Sequence, residues 1–157
     1  MIYITNAKNT KAQIPISVYI HLYCGAILVL PTSFDPEKSA EVFNTLCSYA
    51  EEKQLCAPEQ CDVDAVFGNS PYLAALALRH PRETLKYLTT SPQTCFDELI
   101  NILSQPRAVS EDDNSFMAFL REQKNRAALL IACADITQRW NLEQTTGALS
   151  SFAEKCI

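Results

Sequence analysis

Glycine is scarce in this sequence. Only three of the 157 residues are glycine, at positions 25, 68 and 147. Hairpins and barrels depend on glycine at turn positions with positive φ, so its scarcity argues against an all-β fold. Apolar residues at 48% and charged residues at 20% lie in the range of globular domains, and the length is about that of one domain. The composition therefore predicts an all-α fold, and the pattern of helix starts along the chain predicts an irregular helical bundle of about five to six helices.

An excess of basic side chains and a tight cysteine pair are both missing. The 13 basic residues are outnumbered by 18 acidic ones, so the phosphate-neutralising surface of a general nucleic-acid-binding protein is not indicated. Seven cysteines are an odd number, spread along the chain without a Cys-x-x-Cys pair. This pattern is typical of reduced thiols, and we expect a cytoplasmic protein with no nucleic-acid partner.

A long unbroken hydrophobic run is also absent. The run Ile14 to Leu30 follows a basic, acid-free N-terminus, which is the outline of a signal peptide. It is interrupted by Pro15 and Gly25 and is shorter than the ~20 residues that a membrane-spanning helix needs. We expect residues 1–30 to form a strand-like or irregular lead-in, with no membrane contact, ahead of a helical domain over 31–157. A secretion signal or membrane anchor is the alternative.

Proline, in contrast, is placed at regular points. A capping side chain accepts from the free amides of a first helical turn, and proline at the next position loses an N–H that had no partner. Three dipeptides have this pattern: Asp35-Pro36, Ser70-Pro71 and Ser91-Pro92. Each predicts the start of a helix.

Apolar residues at helical spacing extend these starts. The predicted helices cover residues 36–53, 71–80, 82–89, 92–104, 111–139 and 141–157, and residues 54–66 are predicted to be a loop. Asn141 and Gln144 form a capping box for the last helix. Glu122–Arg126 and Asp135–Arg139 are predicted ion pairs one turn apart. The predicted inward residues of the last two helices are Phe116, Phe119, Leu120, Ala127, Leu130, Ile131, Ala134, Leu149, Phe152, Ala153 and Cys156.

Two short stretches resemble catalytic motifs. Gly68-Asn69-Ser70 is half of a nucleophile elbow, but Tyr72 stands where that motif needs a second glycine, so Ser70 is interpreted as a helix cap. Asp62-Val63-Asp64 has the spacing that presents two carboxylates to magnesium from a strand. The glycine-serine turn that should precede it is missing, and we interpret it as a solvated acidic loop.

Candidate metal ligands and bases lack the spacing that their chemistry requires. Cys47, Cys56, Cys61 and His80 contain no tight ligand pair, which structural zinc sites generally use. Neither His80 nor His21 has a serine or cysteine at a nucleophile–base spacing. His80 is interpreted as a residue that ends a helix before Pro81.

Three cations, Arg121, Lys124 and Arg126, fall within two turns of one predicted helix, and we call them the basic cluster. They could hold a phosphate or an acidic partner. The interpretation we favour is a solvated helix face with internal salt bridges.

The second half of the chain, "LREQKNRAALLIACADITQRWNLEQTTGALSSFAEKCI", resembles the glutamine synthetase adenylyltransferase family, also called the adenylyl-removing enzyme. "VFGNSPYL" resembles the helical lead-in of that family, so the similarity covers about residues 31–157. Thr137 and Gln138 stand where the family often has glycine. The matching positions are Leu120, Arg121, Lys124, Ala128 to Ala132, Asp135, Ile136, Trp140, Leu142, Glu143, Thr146, Leu149, Ser150 and Ala153.

The resemblance implies a large enzyme with two nucleotidyltransferase domains, one attaching AMP to a tyrosine of glutamine synthetase and the other removing it by phosphorolysis. It implies glutamine synthetase and a nitrogen-signalling regulator as partners, and magnesium and ATP as cofactors of the full-length family. The family's catalytic signature, a G-x-L-G-x-x-E-L turn followed by S-D-x-D carboxylates, lies downstream of the matching stretch. Three glycines at 25, 68 and 147 cannot form it.

We therefore expect a truncated product or fragment, the N-terminal helical part of such an enzyme, which is inactive alone and would partner the remainder of that enzyme. No catalytic, cofactor-binding or metal-ligating residue is assigned in this chain. The alternative is a stand-alone helical protein-interaction module that uses exposed Leu149, Phe152 and Ile157. A third hypothesis is residual nucleotide binding at the basic cluster.

Overall fold

The computed structural model describes residues 19–23, 26–105 and 113–157. Within these ranges two short strands precede seven helices. The elements are β1 (Tyr19–Tyr23), β2 (Ala26–Leu30), α1 (Pro36–Lys53), α2 (Gln60–Phe67), α3 (Pro71–Arg79), α4 (Pro81–Thr89), α5 (Pro92–Leu103), α6 (Asp113–Ile136) and α7 (Leu142–Cys156). The all-α fold class is confirmed, with one more helix than the sequence indicated.

The strands belong to the lead-in. β1 and β2 pair antiparallel, with Tyr19 opposite Leu30 and Tyr23 opposite Ala26. Leu30 ends β2 and is buried, and β2 contacts α2. Residues 1–18, Cys24 and Gly25 lie outside the described ranges, as does the predicted start of the long helix at residue 111.

Two of the three predicted capping residues act as caps. Asp35 Oδ1 accepts from the Lys38 amide at 2.9 Å and Ser70 Oγ accepts from the Leu73 amide at 3.3 Å. Ser91 is the exception, because its side chain makes no capping hydrogen bond. α5 nevertheless begins at Pro92, where the restricted φ of proline is already helical.

The prediction of a loop over 54–66 is wrong from residue 60 onward. α2 occupies Gln60–Phe67 and buries Val63, Val66 and Phe67 almost completely. Its acidic residues and the nearby Pro58 made the segment look like a loop. Packing of the α2 apolar face against α1, α3 and α6 overrides that weak local preference.

The long helix α6 lies at the centre of the bundle and contacts five of the other six helices within the described chain. Its inward stripe is confirmed for Ala127, Leu130, Ile131 and Ala134, whereas Phe116 at its N-terminal end is 42% exposed. α6 ends three residues earlier than predicted. The backbone turns sharply at Gln138, which has a φ of 56°.

The inward face predicted for α7 is wrong in part. The capping box of Asn141 and Gln144 is present, with both hydrogen bonds formed. Leu149 and Ala153, however, are exposed, and the buried residues are Thr145 and Ala148. The reason is that α7 packs mainly against α5 and α6, at the edge of the bundle. These two helices cover a narrow stripe of α7 that lies about a quarter-turn from the predicted one.

No helix in the described ranges has the length and apolar character needed to cross a membrane.

The two described glycines supply a matched pair for testing the packing. A Cβ at Gly68 would overlap the Ser33 side chain and lie 2.9 Å from the Asp64 carbonyl oxygen, whereas a Cβ at Gly147 in α7 meets nothing within 4 Å. We expect Gly68→Ala to lower the free energy of unfolding by about 1–3 kcal/mol through overpacking. Gly147→Ala should raise it by about 0.5–1 kcal/mol, because alanine loses less backbone entropy in a helix.

Urea unfolding followed by circular dichroism measures both changes. A destabilisation by Gly147→Ala equal to that of Gly68→Ala would contradict this account of the space around each residue.

Candidate functional site

Gly68-Asn69-Ser70 forms a structural joint. The Asn69 side chain donates through Nδ2 to the carbonyl oxygens of Thr32 at 2.9 Å and Ala65 at 3.0 Å. Its Oδ1 accepts from the backbone amide of Phe34 at 3.1 Å. The Gly68 carbonyl accepts from the Asp35 amide at 2.8 Å. This loop therefore fastens the end of α2 to the segment that enters α1, and Ser70 starts α3. Sequence reasoning identified Ser70 but missed the role of Asn69.

Asp62 and Asp64 do not face the same way. Both lie on α2, where residues two positions apart point about 160° away from each other. Asp64 is 6% exposed and accepts from Gln60 Nε2 at 2.8 Å. The prediction that this pair lies in a solvated loop is wrong, and the parallel arrangement that magnesium would need is also not formed.

The residues weighed as zinc ligands are placed on separate elements. Cys47 lies in α1, Cys56 in the loop after it, Cys61 in α2 and His80 at the junction of α3 and α4. In the described part of the chain, no three His, Cys, Asp or Glu side chains are grouped so that they could hold a metal ion. His80 ends α3 as predicted, and its Nδ1 lies 3.8 Å from Glu122 Oε1.

The basic cluster does not form one surface. Helical geometry places Arg126 about 140–160° around α6 from Arg121 and Lys124, which are both exposed. Arg126 donates to Glu122 Oε1 at 3.0 Å, as predicted, and also lies 3.7 Å from Glu83 Oε1 on α4. The Arg126 guanidinium is therefore paired with carboxylates within the bundle, which favours the salt-bridge interpretation over phosphate binding.

The predicted pair Asp135–Arg139 is wrong. The Arg139 guanidinium donates instead to the carbonyl oxygens of Leu88 and Thr90, each at 3.1 Å, and to that of Tyr87. Tyr87 and Leu88 lie in the last turn of α4 and Thr90 directly follows it, so Arg139 caps that helix from about fifty residues away in the sequence. Asp135 accepts from Thr145 Oγ1 at 3.0 Å and thereby joins α6 to α7.

Trp140 follows directly and reinforces the same corner. It is 6% exposed, and its ring meets that of Phe96 edge-on, with centroids 5.8 Å apart. Edge-to-face aromatic pairs stabilise a fold beyond the area that they bury. The sequence signals were a single tryptophan next to an arginine at the end of a predicted helix, but nothing in the spacing identified α4 as the partner.

A groove opens between α4, α5 and α6, and we call it the three-helix groove. It has a volume of about 240 Å³, and Arg82, Lys86, Glu98 and Ile102 line it together with Gln123 of α6. Gln123 is 4% exposed, and its Oε1 has no hydrogen-bond partner. Sequence analysis did not find this site, because its residues come from three helices and match no motif.

A wider pocket of about 510 Å³ lies beside Arg139, between the α1–α2 loop and the turn after α6. Cys56, Glu59 and Asp62 contribute to its wall. The Arg139 guanidinium already serves the α4 carbonyls, so this pocket presents no cation that is available to a ligand.

The buried thiols are held in their neutral form. Burial raises the pKa of the Cys133 thiol to about 12, and burial also raises the pKa of Cys95. A thiol that stays protonated is a poor nucleophile and a poor metal ligand. Both side chains therefore act as small apolar residues of the core.

Comparison with known proteins identifies relatives of this chain. The family profile described as glutamate-ammonia ligase adenylyltransferase matches residues 61–157. Relatives named bifunctional glutamine synthetase adenylyltransferase/adenylyl-removing enzyme include one from Rhodopseudomonas palustris, 36% identical over 56% of this chain, one from Caulobacter vibrioides, 33% over 85%, and one from Brucella suis, 26% over 80%. The chain covers 9%, 13% and 14% of their respective lengths. No solved structure matches it.

Replacing Arg139 tests the cap on α4. Arg139→Met removes a charged donor from three carbonyls and should lower the free energy of unfolding by about 2–3 kcal/mol. Arg139→Lys keeps the charge but lacks the planar fork, so we expect about half that loss. Urea titration of both variants is the measurement, and equal stability of Arg139→Met and the parent would refute the cap.

The Cys133 thiol predicts a pH dependence. An unfolded thiol ionises near pH 8.5, whereas the folded one keeps its proton to about pH 12, so the unfolded state binds fewer protons between these values. Stability should therefore fall as pH rises above about 8.5, by at most about 1.4 kcal/mol per pH unit from this group. Cys133→Ala should show a shallower fall in urea titrations at pH 8 to 10.5. Parallel pH profiles would contradict the assignment.

Proposed function

Because this chain belongs to the glutamate-ammonia ligase adenylyltransferase family, we propose that it is the helical scaffold segment of such an enzyme and is inactive alone. The observation that carries this proposal is the family match over 61–157, an unbroken stretch that includes nearly all of α2 and the described helices up to α7. Glutamate–ammonia ligase is glutamine synthetase, the protein that the names of the relatives give as their target. In the whole enzyme, AMP would be attached to and removed from a tyrosine of that target.

The glycines support the absence of chemistry in this segment. A phosphate-binding turn exposes successive backbone amides and requires glycine for its tight geometry. Gly68 lies in the joint between α2 and α3 with its Cβ position occupied by neighbours, and Gly147 lies within α7. Neither of these two described glycines stands in an open turn, which supports placing the nucleotide, its magnesium and the catalytic carboxylates in another part of the enzyme.

The contacts of the described residues support a scaffolding role. Short helices are joined at their ends by Asn69 and Arg139, and α6 runs through the middle of the bundle. Such a body can hold a neighbouring domain in position without touching substrate. We place the protein in the cytoplasm, with glutamine synthetase and a nitrogen-signalling regulator as partners of the complete enzyme.

The proposal predicts that the purified chain lacks both activities. Incubated with adenylylated glutamine synthetase, phosphate and magnesium, it should form no ADP, and with ATP, magnesium and unmodified synthetase it should form no pyrophosphate. The enzyme from Caulobacter vibrioides serves as the positive control for both assays. Product above the protein-free blank would overturn the proposal, as would ATP-dependent heat in calorimetry, which would instead support the residual-nucleotide hypothesis.

A second candidate function is a stand-alone interaction module. The observation that favours it is the exposed apolar side of α7, where Leu142 is 76% exposed and Leu149 is 52% exposed one heptad later. Ile157 is fully exposed beyond the end of that helix. Exposed apolar patches mark interfaces. Binding of the chain to glutamine synthetase without nucleotide, abolished by Leu149→Asp and retained by Ser151→Asp, would favour the module over the scaffold.

A further inference from the structure

We propose that the three-helix groove binds a peptide segment of a protein partner that carries a carboxylate next to an apolar side chain. The proposal is independent of the function proposed above. It rests on the juxtaposition of an unpaired buried amide, an unpaired cation and an exposed apolar wall in one groove.

The unpaired amide is that of Gln123. Buried polar atoms are nearly always hydrogen-bonded, so an acceptor without a partner on a side chain only 4% exposed requires an explanation. A glutamine amide carries a donor and an acceptor side by side, and a backbone peptide group carries the same pair. Rotation about the last side-chain torsion can present either group to the groove. An incoming peptide bond would match it.

The unpaired cation is Arg82 on α4. It is exposed and forms no hydrogen bond or ion pair within the described part of the chain. Lys86, one turn further on, pairs with Glu98 of α5 across the groove, but both side chains are at least 40% exposed. Exposed ion pairs of this kind contribute little and rearrange readily. A carboxylate of the partner could therefore contact Arg82 and Lys86 together.

The apolar wall belongs to α5. Ile102 is 38% exposed where it lines the groove, and Leu99 lies one turn before it. A carboxylate recognised at one side and an apolar side chain at the other define a short acidic-apolar sequence. The chain as a whole is acidic, with a net charge of −5, so the attraction for a carboxylate comes from the nearby cations Arg82 and Lys86.

The size of the groove argues against a nucleotide. Sites that enclose drug-sized ligands measure roughly 300–1,000 Å³, and this groove is smaller, at about 240 Å³. Glu83 and Glu98 also line it and would repel the several charges of a triphosphate. A peptide needs to place only one carboxylate and one neighbouring apolar side chain in this space, with the rest of its chain outside the groove.

The binding test is an NMR titration of the isotopically labelled chain. The probe is N-acetyl-leucyl-glutamyl-leucinamide, and the matched control is the same peptide with glutamine in place of glutamate. We expect saturable shifts at the Gln123 side-chain amide and at the backbone amides of Arg82 and Lys86. Affinity for the control peptide should be about tenfold lower, and raised salt should weaken only the acidic probe.

Matched variants locate the effect. Arg82→Gln should lower the affinity for the acidic peptide about tenfold. Lys124→Gln, the same charge change at an exposed residue of α6 that does not line the groove, should leave it unchanged. Equal affinities for the two peptides, shifts confined to residues outside the groove, or an equal effect of both variants would overturn the proposal.

Gln123→Met provides an independent test. If the amide has no partner in the free protein, its removal should leave the thermal midpoint unchanged or raise it, while peptide binding is lost. A lowered midpoint with peptide binding intact would show that the amide serves the fold, and would overturn the proposal. If the variant does not fold, the comparison of Arg82→Gln with Lys124→Gln still decides.

Discussion

The constraint on which this bundle most depends is hydrogen bonding to the backbone carbonyls at the ends of its helices. Six of its seven described helices are shorter than twenty residues, so the bundle contains many helix ends, each with terminal carbonyls that no bond within the helix satisfies. At the end of α4, the Arg139 side chain alone donates to three carbonyls. Arg139 lies in the turn after α6, and the next residue, Trp140, contacts Phe96. The relative positions of α4, α5, α6 and α7 depend on this corner.

Asn69 donates a side-chain hydrogen bond to a carbonyl near the end of α2, as Arg139 does at the end of α4. In both places a side chain, and not a glycine turn, takes up the carbonyls of a finished helix. This explains how a chain with three glycines builds so many helix ends, because proline starts the helices and polar side chains close them. The two non-glycine residues with positive φ in the described chain, Gln54 and Gln138, stand where glycine would be the usual choice. The family resemblance pointed to the second of these positions.

Local signals predicted most of the fold and little of the site. The starts at Asp35, Ser70 and Asn141 could be read from sequence, because a cap and its amide lie within three residues. α2 could not, because its helix depends on burial against distant residues. The Asp135–Arg139 pair failed for the same reason: an available local partner lost to carbonyls about fifty residues away. The three-helix groove escaped prediction because a groove exists only after three helices have packed together.

The reach of Arg139 also imposes an order on biosynthesis. A ribosome delivers α4 well before it delivers the residue that closes it, and α5 and α6 must be made in between. Until Arg139 has been made, the carbonyls at the end of α4 lack this donor, and the apolar faces of the first helices lack the later helices that cover them. All three of these carbonyls wait for the same guanidinium, that of Arg139. The cap on α4 therefore cannot form until Arg139 has been synthesised.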